Sequence, residues 1–173
     1  VGEKLITSSS SPVFGGVYKL VAVKEDDGTY SPRMKCSDSA SKAIIPGKLM
    51  AWRIYDEEGK GQADIISLDG EIIEEGKEIV VYDMNPDALH HSRKITPLKV
   101  EKLLVPHLIN GELAMELPTI KEKKEFIKDQ LENKVWESEL RPKMPHSHYV
   151  DLTEKVYEVR EAMYKKLHGG SLD

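Results

Sequence analysis

Through the first half of the chain apolar and polar positions alternate with a period of two, and only towards the end do apolar residues recur at helical spacing. Val17, Val21 and Val23 alternate with Tyr18, Leu20 and Ala22, which predicts a strand. Lys19 falls on its valine side, either at the wet end of the strand or directed into a site. Asp26-Asp27-Gly28 signals a hairpin turn, with a return strand through Arg33-Met34-Lys35-Cys36 that puts Arg33 and Lys35 on one face. An irregular loop from Ser37 leads to Pro46-Gly47-Lys48. Leu49 to Asp56 then reads as a strand with Met50, Trp52 and Ile54 on one side and Arg53 on the other. Turns at Glu57-Glu58-Gly59 and Asp69-Gly70 separate it from strands through Ala63–Leu68 and Lys77–Tyr82, giving a small antiparallel meander.

Residues 83–96 are mostly polar and mark the weakest boundary, dividing a sheet segment (1–82) from a C-terminal region (83–173). In that region Asn110-Gly111 is a strong hairpin signal between Leu98–Leu108 and Glu112–Met115. Two helices follow. Thr119-Ile120-Lys121-Glu122 is a capping box opening a helix with the apolar stripe Ile120, Ile127, Leu131 and Val135. The second helix is predicted to start with Asp151 as its N-cap, to present Leu152, Val156, Val159, Met163 and Leu167 to the core, and to stop at Gly169. The class is α+β: a small antiparallel sheet followed by two C-terminal helices.

At 173 residues the chain is long enough for one sizeable core or two small ones. Charged residues make up 32% and apolar residues 39%, interleaved throughout, as in a globular fold. No apolar run reaches the roughly 20 residues a bilayer-spanning helix needs, so no membrane partner is expected. The net charge of −5 is unevenly spread: residues 1–53 hold eight Lys or Arg against five acids, while the remainder holds 17 against 25. A locally basic segment in an acidic chain favours a small anionic ligand over nucleic acid, which calls for a broader basic face.

Candidate chemistry is sparse. Cys36 is the only cysteine, which excludes an intrachain disulfide and fits a reducing cytoplasm. The adjacent His90 and His91 diverge on any regular element, and His146 and His148, in a proline-rich connector, lack an evident third ligand and read as solvent-exposed linker residues, so no metal site is assigned. There is no nucleophile elbow and no plausible pair of catalytic carboxylates. What remains is a basic group, Lys19, Arg33, Lys35, Lys42 and Lys48, downstream of Gly2 and the Ser8–Ser11 run, where backbone amides and hydroxyls are able to cradle an anion.

The runs VGEKLITSSSSPVFGGVYKLVAV, PRMKCSD, SKAIIPGK and WRIYDEEGK resemble, in order, the C-terminal part of nicotinate phosphoribosyltransferases. LLVPHLINGELAMELPTIKE and YVDLTEKVYEVREAM are similar to that family's C-terminal tail, so the resemblance covers nearly the whole chain. It implies an enzyme that condenses nicotinate with phosphoribosyl pyrophosphate to nicotinate mononucleotide and pyrophosphate, in NAD salvage, with Mg²⁺ and ATP hydrolysis coupled through a phosphorylated histidine. It further implies a cytoplasmic homodimer whose fold joins an irregular α/β barrel to an α+β domain. On this reading the chain, which opens without methionine, is a fragment. The phosphorylated histidine lies upstream, no catalytic residue lies within the chain, and the fragment alone is inactive.

By the same resemblance Gly2 matches a glycine whose amide holds the ribosyl 5-phosphate, and Glu3 stands where many members have threonine. Lys19, Lys35 and Lys42 align with lysines that, in the related nicotinamide enzyme, reach pyrophosphate or phosphoryl groups, Arg33 and Lys48 are further phosphate-binding candidates, and Arg53 orients a neighbour. Two alternatives stay open: a non-catalytic phosphate-binding module, and a dimerisation domain whose lysines lie on a solvated face.

Overall fold

A computed structural model describes residues 18–35, 44–85 and 92–168. The first hairpin pairs β1 (Ala22–Lys24) with β2 (Tyr30–Pro32) in antiparallel register, Val23 opposite Ser31. Its turn forms where the sequence places it. Gly28 takes φ +86°, its amide donates to the Glu25 carbonyl, and the Asp27 carboxylate accepts from the amide and hydroxyl of Thr29. The return strand is shorter and earlier than expected. Pro32 has no amide hydrogen and closes the ladder, so Arg33–Lys35 follows the strand, and Lys19 precedes β1 instead of lying within it.

The body of the molecule is a six-stranded sheet in the order β6-β5-β10-β4-β3-β7. Its strands are β3 (Leu49–Tyr55), β4 (Gly61–Leu68), β5 (Ile79–Asp83), β6 (Ser92–Ile95), β7 (Lys99–Lys102) and β10 (Val150–Thr153). All neighbours are antiparallel except β10 and β4. The α+β class with a sheet followed by helices holds, and two local expectations do not. The polar stretch before Thr96 contains β6, and Asp151-Leu152-Thr153 is no helix start: it is a strand inserted between β4 and β5. Local capping chemistry gives way because β10 pairs the backbone groups of two strands that would otherwise lie open along the middle of the sheet. The final helix, α2, therefore begins at Glu154 and runs to His168.

Period-two alternation sorts the sheet into two faces. One carries Trp52, Ile54, Ala63, Ile65, Val81 and Ile95, closed by Ile73 from the loop between β4 and β5. The Trp52 indole is satisfied within this core by the Ser67 hydroxyl at 2.8 Å. The other face receives α2, which buries Val156 and stacks Tyr157 on Tyr82 with ring centroids 4.1 Å apart. The expected α2 stripe is only partly inside. Val159 and Met163 are half-buried and Leu167 is exposed, while Arg160 and Glu161 are buried.

Between β7 and β10 lie a short hairpin, β8 (Leu108–Ile109) with β9 (Glu112–Leu113), and the helix α1 (Ile120–Asp129), continued by a π-helical turn to Lys134. Asn110 and Gly111 take φ of 52° and 86°, as the two-residue turn requires. The capping box also forms: the Glu122 amide donates to the Thr119 hydroxyl at 3.3 Å, and the Thr119 amide donates to the Glu122 carboxylate at 2.7 Å.

Candidate functional site

The β1–β2 hairpin is tied to the main sheet through one acceptor. The Val21 carbonyl takes the amides of both Arg33 and Gly47, each at 2.8 Å. Gly47 makes this possible. It holds φ +113°, a backbone conformation strained for any other residue, and a Cβ there would lie 2.9 Å from Leu68 Cδ2 and would have to displace that methyl. The tie brings Tyr18–Leu20 beside Arg33–Lys35 and Ile44, around a surface cleft of about 520 Å³.

Lys19, Arg33 and Lys35 all line this cleft, with Leu20, Met34 and Ile44 supplying apolar wall. The Arg33 guanidinium is held in place by the Glu25 carboxylate at 3.2 Å, the Pro32 carbonyl at 3.0 Å and the Ser31 hydroxyl. Among the described residues no carboxylate pairs with Lys19 or Lys35. Tyr18, which sequence reasoning passed over, stands at the cleft 99% exposed.

Lys48 is placed elsewhere. It lies in a separate depression, bonded to Asp69 at 2.6 Å and 4.5 Å above the Tyr30 ring. The Asp69 hydrogen bond pushes the Lys48 ammonium up and the Lys48 bond pulls the Asp69 carboxyl down, a mutually neutralised surface pair. Gly2, Glu3 and Lys42 lie outside the described residues, as do Cys36, His90 and His91.

A second polar cluster occupies the sheet face that also carries α2. Arg53 forks onto Asp64, His148 Nε2 lies 3.3 Å from Asp64 Oδ1 without an aligned hydrogen bond, and His148 Nδ1 meets Glu139 Oε1 at 2.9 Å. Burial alone would push the Asp64 carboxyl up, but the Arg53 fork and then His148 outweigh it and hold it at about 2. The Asp64 carboxylate pushes the His148 ring up against desolvation, with Glu139 adding to it. His148 is thus a half-buried partner of two carboxylates, and not the solvent-exposed linker residue the sequence suggests. Arg53 does orient a neighbour, and the neighbour is Asp64. One sequence signal was present: Arg53 and Asp64 each fall on the polar side of an alternating strand. Their pairing follows only from the β3–β4 register.

Among the described residues the cleft is lined by cations, the Tyr18 ring and apolar wall, with no carboxylate, histidine or cysteine at its rim. In charge and shape such an arrangement suits an anionic ligand. Among the described residues no three His, Cys, Asp or Glu side chains converge where a metal ion would sit.

Residues 49–160 match the family model described as the nicotinate phosphoribosyltransferase C-terminal domain. The chain belongs to this family. It is 31% identical to a nicotinate phosphoribosyltransferase of Dictyostelium discoideum over 91% of its own length and 27% of that protein's. It is 28% identical to a nicotinate phosphoribosyltransferase of Bacillus subtilis over 96% of itself and 35% of the relative, a span that takes in the lysine cleft. Its fold is similar to the crystal structure of human nicotinic acid phosphoribosyltransferase, with a TM-score of 0.66 at 23% identity, covering 77% of this chain and 25% of that one. The chain thus spans only about a third or less of the length of the nicotinate phosphoribosyltransferases it matches. The family match begins at β3 and ends within α2, so it takes in the whole six-stranded sheet. Among the described residues no helix is long and apolar enough to cross a membrane.

Proposed function

We propose that this chain is the C-terminal part of a nicotinate phosphoribosyltransferase and that its lysine cleft binds phosphate or pyrophosphate groups of phosphoribosyl pyrophosphate and its product. The observation that carries the reading is the convergence of Lys19, Arg33 and Lys35 on one cleft, in a chain of this family. Loss of pyrophosphate from the ribose C1 leaves charge on the departing oxygens. Ammonium groups already held at the cleft stabilise that charge without reorganisation, worth a few kcal/mol for each group so directed. Lys19 and Lys35, which no carboxylate pairs among the described residues, follow the leaving group on long side chains, while Arg33, fixed by Glu25 and Ser31, gives the cleft a stationary charge.

The overall reaction in this reading joins nicotinate to phosphoribosyl pyrophosphate, giving nicotinate mononucleotide and pyrophosphate with ATP hydrolysis. The histidine phosphorylated from ATP, the nicotinate pocket and the homodimer partner belong to polypeptide outside this chain, and a cytoplasmic setting belongs to the same reading. Mg²⁺, which the resemblance implies, does not fit the donors of this cleft. Cations do not ligate it, and it would arrive on pyrophosphate oxygens.

The test is steady-state kinetics on the full-length enzyme carrying this sequence. Lys19→Ala with Lys35→Ala should lower kcat/KM for phosphoribosyl pyrophosphate by about a hundredfold or more, the loss of one or two charge-assisted contacts. Unchanged kinetics would leave the lysines as a solvated face and sink the reading. The 173-residue chain alone should form no nicotinate mononucleotide.

A further inference from the structure

From residue 104 to residue 129 every residue is exposed, although the stretch includes a formed hairpin and a formed helix. Large apolar side chains concentrate there, among them Leu108, Leu113, Leu117, Ile120, Phe126 and Ile127. Scattered exposed leucines are ordinary, but this many large apolar side chains left exposed on one formed hairpin and one formed helix are not. An isolated helix of α1's length is marginal in water and usually draws its stability from packing an apolar face, yet α1 buries no residue.

The stretch is an arm fastened at both ends. At one end the Leu103 amide donates to the Ala51 carbonyl at 2.9 Å. At the other, Lys60 Nζ donates to the Glu132 carbonyl at 2.9 Å and the Trp136 indole donates to Asp56 at 3.0 Å. These anchors grip the β3–β4 part of the sheet and leave the span between them uncovered. A groove of about 660 Å³ on the arm is lined by Pro118, Glu122, Lys123, Phe126 and Ile127.

We propose that residues 104–131 are a docking arm whose apolar face packs against the part of the family's polypeptide that precedes this C-terminal domain. Two observations choose this occupant. The matched relatives are about three times as long as this chain, and the matching model is a C-terminal domain, so in those proteins a large surface precedes the matched part. The arm's charges also define what meets it. Lys121 and Lys128 are paired with Glu125 and Glu132, whereas Lys123 and Lys124 have no carboxylate partner among the described residues, which suits an apolar patch rimmed by acidic groups. The inference rests on the chain being part of a longer protein, and not on the lysine cleft.

Amide hydrogen exchange tests it on two proteins, the 173-residue chain alone and the full-length protein that carries it. Exchange across residues 104–131 should slow by about a hundredfold or more in the full-length protein, while β3, β4 and β5 are protected in both. Phe126→Glu with Ile127→Glu should return the arm of the full-length protein to the rates of the chain alone. The same pair of substitutions in the chain alone should leave its urea midpoint unchanged, because both residues are already exposed. Equal arm exchange in the two wild-type proteins would overturn the proposal. So would a dimer of the chain alone, seen by sedimentation, with the arm protected, since the occupant would then be a second copy. Activity that survives loss of Lys19 and Lys35 would defeat the anion-site reading and leave these exchange rates as they are.

Discussion

Arg53 and Asp64 stand opposite each other across the β3–β4 ladder and are joined by two hydrogen bonds, Nε to Oδ1 at 2.7 Å and the second guanidinium nitrogen to Oδ2 at 2.8 Å. This fork fixes Asp64 where it also faces His148, at the point where the connector returns to the sheet as β10. The Asp64 amide receives its own partner there, the Tyr149 carbonyl at 2.9 Å.

Removing the fork leaves a partly buried carboxylate with His148 as its remaining charged neighbour. Arg53→Ala should therefore destabilise the chain by about 2–3 kcal/mol, somewhat less than for a fully buried pair. Urea denaturation at neutral pH measures this.

The Asp64 carboxyl is held at about 2, below its ordinary 3.8, so it contributes stability that is present above the ordinary value and lost as pH falls through the folded value. Across that window the wild type should lose about 2 kcal/mol relative to Asp64→Asn. Denaturation midpoints of the two proteins from about pH 5 down to about pH 2 should converge at the acid end.

His148 has the opposite sign. Its ring is raised above 6.5, so its contribution is complete below that value and fades as pH rises through the folded value. The stability advantage of wild type over His148→Gln should shrink on going from about pH 6 to about pH 8. A difference that stays constant across this range would show that the imidazolium does not link Asp64 to Glu139.

Leu152 is fully buried in β10, whereas Leu167 near the end of α2 is 42% exposed. Leu152→Ala should cost about 2–5 kcal/mol and Leu167→Ala less than about 0.5 kcal/mol, by chemical denaturation. Equal costs would contradict the insertion of β10 in the middle of the sheet.

Lys48 is neutralised by Asp69 and lies outside the cleft. In the full-length enzyme Lys48→Ala should change kcat/KM for phosphoribosyl pyrophosphate by less than about threefold, against the large loss expected for Lys19 and Lys35. Assay of the three single variants side by side separates cleft lysines from surface lysines.

The elements readable in the sequence are those specified by neighbours along the chain. Turns at Gly28, Gly59 and Asn110-Gly111, the Thr119–Glu122 capping box and the alternation of Met50, Trp52 and Ile54 depend on local backbone and side-chain chemistry, and each forms as expected. Arg33 and Lys35 line one cleft although the strand expected to put them on one face ends at Pro32, and Lys19 joins them because Val21 accepts two amides from distant segments.

What the tertiary structure alone decided concerns partners far apart in sequence. Asp151-Leu152-Thr153 carries a helix-capping pattern, yet it is a strand because β4 and β5 need a neighbour between them, a demand no local window contains. Lys48 leaves the basic group because Asp69 lies within reach, and His148 leaves the solvent because Asp64 and Glu139 flank it. Local chemistry set the turns, caps and alternation, whereas strand order and ion pairing were set by which distant segments the sheet brought within a few ångströms.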